Sequence, residues 1–142
     1  MTQAMTSLDE AYEAGLKLYD EGKPLEEVLA HFEELRRQAP TDVRIAVSLG
    51  WLHILLGNKQ KALLYCREAK NTTQGRFNLV LAYLAFGEKG VREKFEEALG
   101  HSDHDGLQDA IHNLDDAIAR KGGSFAPAEK MLKWIQEVRQ HH

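Results

Sequence analysis

His101, Asp103, His104 and Asp105 lie within one five-residue stretch, a cluster of side chains able to bind a divalent cation. The spacing fits no standard site. If Gly106 were the sixth residue of a calcium loop, positions one and twelve would be His101 and His112, where such loops need Asp and Glu. A zinc site needs a third and fourth ligand that the sequence does not point to. A metal-dependent or enzymatic role centred on His101, His104 and His112 therefore has nothing further behind it. The expected role of the stretch is a solvated loop, with Asp103 or Asp105 at the positive end of the following helix.

Cys66 is the only cysteine, which excludes an intrachain disulfide and a thiolate metal cluster and fits a reducing compartment. A packed thiol is expected there, not a nucleophile. His53 is expected to be a partly buried, hydrogen-bonded histidine. His141 and His142 close the sequence and carry no argument. No nucleophile elbow, phosphate loop, dinucleotide glycine pattern or His-Glu-x-x-His is present, so no catalytic residue, metal or cofactor is expected and the chain reads as a non-enzyme.

The elements that position these residues follow from composition and periodicity. At 142 residues, 43% hydrophobic and 28% charged, the chain has the make-up of one globular domain. Its net charge of −4 is spread unevenly. Residues 1–40 hold nine acidic and four basic side chains, residues 41–100 six and nine, and residues 101–142 seven and five. Lys59, Lys61, Arg67, Lys70 and Arg76 are dispersed over two helices and a loop, which reads as a solvated face and argues against nucleic acid. Neither a secretion signal nor a membrane span is recognisable, and cytoplasmic residence is the expectation.

Residues 1–7 are expected to be a disordered N-terminus, and residues 8–142 a single domain. Ser7-Leu8-Asp9-Glu10 reads as a capping box that starts a helix near residue 8, which Gly22 closes. Leu25, Val28, Leu29, Phe32 and Leu35 mark a second helix that ends before Pro40. Thr41 is the expected N-cap of a third, and Gly57 its C-cap. Asn71-Thr72-Thr73 would cap a helix running to Phe86 that is apolar nearly all round and must be covered on most sides. Gly122-Gly123 divides two terminal helices, about 107–121 and 127–139.

The small residues of the middle segment carry the fold. Ala46-x2-Leu49-Gly50-x2-His53, followed by Ala62-x3-Cys66-x2-Ala69, resembles the tetratricopeptide repeat. Gly50, Ala62 and Ala69 remove bulk where two helices touch. Gly15 to Gly50 and Gly22 to Gly57 are both 35 residues apart, against a family period of about 34. Gly57 to Gly87 is only 30, a loss of about one helical turn. The resemblance implies an all-α fold: a right-handed superhelical stack of helical hairpins with repeats at about 8–40, 41–73 and 74–100, closed by a terminal helix pair at 106–140.

It also implies a binding surface. First helices of such repeats line an inner groove, which maps onto Tyr12, Leu16 and Tyr19; onto Arg44, Val47, Trp51, Ile54 and Leu55; and onto Gln74, Phe77, Leu81, Leu84 and Ala85. Relatives that clamp a terminal carboxylate use lysines and asparagines where this chain has Val47, Ser48 and Trp51, so that ligand is disfavoured. The expected partner is another protein or peptide, an amphipathic helix or extended apolar segment anchored on an exposed Trp51. Two alternatives stand beside it. Leu16 to Lys23 also resembles the type III secretion chaperones that hold translocator proteins. Alternatively Trp51, Phe77 and Leu81 pack against a neighbouring helix or a second copy, giving a structural homodimer with a self-occupied groove. The apolar face of Met131, Leu132, Trp134, Ile135 and Val138 leaves open whether the last helix fills the groove.

Overall fold

The computed structural model describes residues 6–140, and among these it is all-helical, with eight helices and no strand. They are α1 (Ser7–Asp20), α2 (Leu25–Gln38), α3 (Val43–Leu56), α4 (Lys59–Glu68), α5 (Thr73–Phe86), α6 (Val91–Gly100), α7 (His104–Arg120) and α8 (Ala126–Gln140). From α1 to α6 each helix packs on the next, and α3 also packs on α5. α7 and α8 pair with each other and both pack on α5. No described helix is long and apolar enough to cross a membrane.

Side-chain caps mark the starts of α1, α3, α5 and α7, two of them one residue away from the expected place. Thr6, not Ser7, caps α1, its Oγ1 accepting from the Asp9 amide at 3.0 Å. Thr6 and Ser7 thus belong to the start of α1 and not to a disordered tail, while residues 1–5, like His141 and His142, lie outside the described residues. Asp42, not Thr41, caps α3, because its carboxylate accepts both the Arg44 amide (3.0 Å) and the Arg44 guanidinium (2.9 Å). Thr72 caps α5 and Asp103 caps α7, the latter accepting from the Gly106 amide at 2.7 Å.

Close approach explains the small residues. A Cβ on Gly50 would sit 2.8 Å from Cys66 Sγ and 3.2 Å from the Cys66 backbone nitrogen. A Cβ on Gly15 would sit 2.6 Å from the Phe32 ring, so the same exclusion operates where α1 meets α2. Gly57 ends α3 at φ +80°, a left-handed conformation that side chains disfavour. The short interval from Gly57 to Gly87 has a simple cause: α4 is 10 residues long where α2 has 14, a difference of about one turn.

Two buried clusters share α3. Val28, Phe32 and Leu35 of α2 meet Ile45, Leu49 and Leu52 of α3 in the first. The second gathers Ile54 and Leu55, most of α5, Phe95 of α6, Ala110, Leu114 and Ala117 of α7, and Ala128, Met131 and Ile135 of α8. Trp134 stands 5.3 Å from Phe95 between ring centroids. The apolar face of α8 is therefore used against α5 and α6, and it is α7, packed on α5, that reaches α1 and α3 through its side chains.

Candidate functional site

α7 is held at both ends. Near its start the Gly106 carbonyl accepts from Gln74 Nε2 of α5 at 3.2 Å, and Asn113 Nδ2 donates to Gln74 Oε1 at 3.3 Å. Near its end Asp116 accepts from the Tyr19 hydroxyl of α1. Arg120 then donates to the Tyr19 carbonyl, and to the Lys23 carbonyl at 3.4 Å, with its guanidinium 3.9 Å from the centre of the Tyr19 ring. Lys121, just past the helix, donates to the Leu55 carbonyl of α3 at 3.2 Å. Two cations thus meet the carbonyl ends of α1 and α3, where the helix dipole is negative.

Between α7 and the helices beneath it remains a cavity of about 320 Å³. Tyr12, Leu16, Tyr19 and Asp20 of α1 line it, with Val47, Ser48, Trp51 and Leu52 of α3, Gln74 and Asn78 of α5, and His112, Asn113 and Asp116 of α7. A hydrogen-bond relay crosses it: Trp51 Nε1 donates to the Tyr19 hydroxyl at 2.9 Å, and that hydroxyl donates to Asp116. Burial, reinforced by the Asp116 carboxylate, raises the Tyr19 phenol above its ordinary range, so it stays protonated. Trp51 is half-buried, not the exposed anchor that the sequence suggested, because its indole is engaged by Tyr19.

The residues named from sequence divide into three groups. Tyr12, Leu16, Tyr19, Val47 and Trp51 come together at the cavity. Arg44 is nearby but committed: it bonds Asp42 and Asp9, the latter at 3.0 Å, and lies 4.6 Å from the Tyr12 ring centre, tying α1 to α3. Leu55, Phe77 and Leu81 do not line an open surface. They are 2%, 3% and 0% exposed and belong to the cluster that α7 and α8 help to close.

No protein-family model matches the chain, and no curated protein matches it. Sequence reasoning overlooked Asn78, Asn113, Asp20 and Asp116. Asn78 carried a signal, an amide inside the otherwise apolar run from Phe77 to Leu81. The acidic residues carried none, being ordinary members of polar helix faces.

The remaining chemistry-bearing residues have other duties. His53 is buried, Asn58 Nδ2 donates to its Nδ1 at 3.0 Å, and its ring stacks on Tyr65 with centroids 5.8 Å apart. Burial, aided by Lys61, lowers its pKa, so the neutral ring is favoured. Burial pushes the Cys66 thiol up to about 12, leaving it protonated against Gly50. His101 lies beyond α6, and the His101, His104 and His112 set is not gathered: no group of three or more His, Cys, Asp or Glu is placed to hold a metal among the described residues.

Proposed function

We propose that this chain is a non-enzymatic protein-interaction module of tetratricopeptide type, a right-handed stack of hairpins that takes an extended segment of another protein on the face of α1 and α3 beside α7. The cavity beneath α7 carries the reading: it sets aromatic and aliphatic side chains of α1 and α3 against a polar wall from α5 and α7, room and chemistry for one anchoring side chain. The equivalent packing of Gly15 on Phe32 and Gly50 on Cys66, 35 residues apart, supports the repeat.

An extended segment is preferred to a helix on size. A helix with its side chains is roughly 10 Å across, and with α7 packed on α5 and bonded to the ends of α1 and α3 the space left is a cavity of about 320 Å³. Chaperone-like capture of a helical client would require α7 to leave. A homodimer has less to recommend it: the exposed large apolar side chains among the described residues are Val43 and Leu64, on different helices. The single buried cysteine is in keeping with the cytoplasm.

Photo-crosslinking tests the reading. Benzoylphenylalanine in place of Val47 should give adducts with a partner protein, and the same group in place of the 52% exposed Leu64 should give none. Equal adducts from both positions, or adducts only with a second copy, would refute it.

A further inference from the structure

We infer that the cavity under α7 receives an arginine side chain of the partner segment, an inference that rests on the interaction-module reading above. Several hydrogen-bonding atoms of the lining are unused. Asn78 is 4% exposed, and its Nδ2 donates to the Val47 carbonyl at 3.4 Å. A carbonyl only accepts, so the amide orientation is fixed and Asn78 Oδ1 is the atom left over. The same logic runs along a second chain: the Gly106 carbonyl fixes Gln74, Gln74 Oε1 then takes the Asn113 amide nitrogen, and Asn113 Oδ1 is left over.

Asp116 accepts the Tyr19 proton on one oxygen and keeps the other, and no described hydrogen bond or ion pair uses the Asp20 carboxylate. Four acceptor groups of the lining are thus unused, two of them carboxylates, beside the Tyr12 and Ser48 hydroxyls and the His112 ring, which can donate or accept. Arg120, over the Tyr19 ring, is directed to the Tyr19 and Lys23 carbonyls, and Arg44, over the Tyr12 ring, is paired with Asp42 and Asp9; neither forms an ion pair with Asp20 or Asp116. A ligand matched to this wall donates several hydrogen bonds and is positively charged. The Trp51 indole adds an aromatic surface, and Leu16 and Val47 suit an aliphatic stem. Guanidinium meets these demands better than ammonium, since its planar fork offers five donors and stacks on indole. At about 320 Å³ the cavity is at the small end of ligand sites, the scale of one side chain.

The experiment follows the Trp51 indole and Asn78 side-chain amide signals by NMR during titration with Nα-acetyl-arginine N-methylamide, its neutral citrulline counterpart, and agmatine. The arginine compound should produce saturable shifts, and the citrulline compound should bind at least tenfold more weakly. Asp20→Asn should weaken arginine binding severalfold, whereas Asp115→Asn, exposed on α7 outside the cavity, should not. No saturable shift, or equal affinity for citrulline, overturns the inference. Agmatine binding tenfold tighter than the arginine compound overturns it in favour of a free small amine. A partner crosslinked at Val47 that tolerates citrulline for arginine would sink this inference alone. If arginine binds here but no protein crosslinks at Val47, the interaction-module reading fails instead.

Discussion

Replacing Tyr19 by Phe tests whether α7 is held across α1, because one hydroxyl links residues 97 positions apart. The hydroxyl donates to the Asp116 carboxylate and accepts from the Trp51 indole at 2.9 Å. A hydrogen bond to a charged group contributes about 1.5–3 kcal/mol. Asp116 and Tyr19 are both half-buried, so water can replace part of it and the lower end applies. Trp51 is half-buried as well, so its lost acceptor adds little. In a cycle of Tyr19→Phe, Asp116→Ala and the double variant, the expected coupling is about 1.5 kcal/mol. With a urea slope of about 1–3 kcal/mol/M this is a midpoint displacement of roughly 0.5–1.5 M beyond additivity, measured by circular dichroism.

The pH dependence provides an independent check. Tyr19 has a folded pKa above its unfolded value, so its contribution is complete below about pH 10 and declines as pH rises beyond that. Tyr19→Phe should lose this alkaline decline relative to wild type. Additive single variants, with coupling below about 0.5 kcal/mol, would mean that Tyr19 and Asp116 do not meet and that α7 lies elsewhere.

Gly50→Ala should destabilise by up to about 2 kcal/mol, an overpacking cost of about 1–3 kcal/mol less the helix-propensity gain of about 1, since Cys66 Sγ would stand 2.8 Å from the new methyl group. In a Cys66→Ala background the same change should be close to neutral in urea denaturation; an equal penalty in both backgrounds would refute the contact. Stability should fall as pH drops below about 6.5, because the unfolded His53 takes up a proton that the buried ring resists. His53→Leu should remove that component of the acid slope, and an unchanged slope would count against burial as its cause. Cys66 should react with Ellman's reagent only at the rate of transient opening, faster in urea, whereas rapid stoichiometric labelling of native protein would contradict a thiol raised to about 12.

Much of the helical framework was legible in the sequence because its determinants are local. Gly57, Thr72 and Pro127 mark helix ends through φ restriction or a side-chain acceptor, each acting within a turn of itself. The two displaced caps show the resolution of that reasoning. Thr6 and Ser7 are both competent caps, as are Thr41 and Asp42, and in the second pair Asp42 is singled out by Arg44, which bridges it to Asp9.

The site was less legible because its decisive element is placed by residues that look like surface. The stripe Ala110, Leu114, Ala117 says that α7 is amphipathic and narrow but not which face of the array it covers. The apolar stripes of α7 and α8 are both buried, so hydrophobicity alone does not rank the two for a place over α1, α3 and α5. The difference lies in the polar ends. Gln74 of α5 reaches the start of α7, while Arg120 and Lys121 at its other end reach carbonyls at the ends of α1 and α3. α7 therefore runs in the same sense as the helices it covers, an arrangement in which like dipole ends are neighbours and two terminal cations offset the repulsion. The last turn of α8 has only Arg139 to offer. Charges that sequence reading assigns to solvent are here what places α7, and with it Asn113 and Asp116 at the cavity wall.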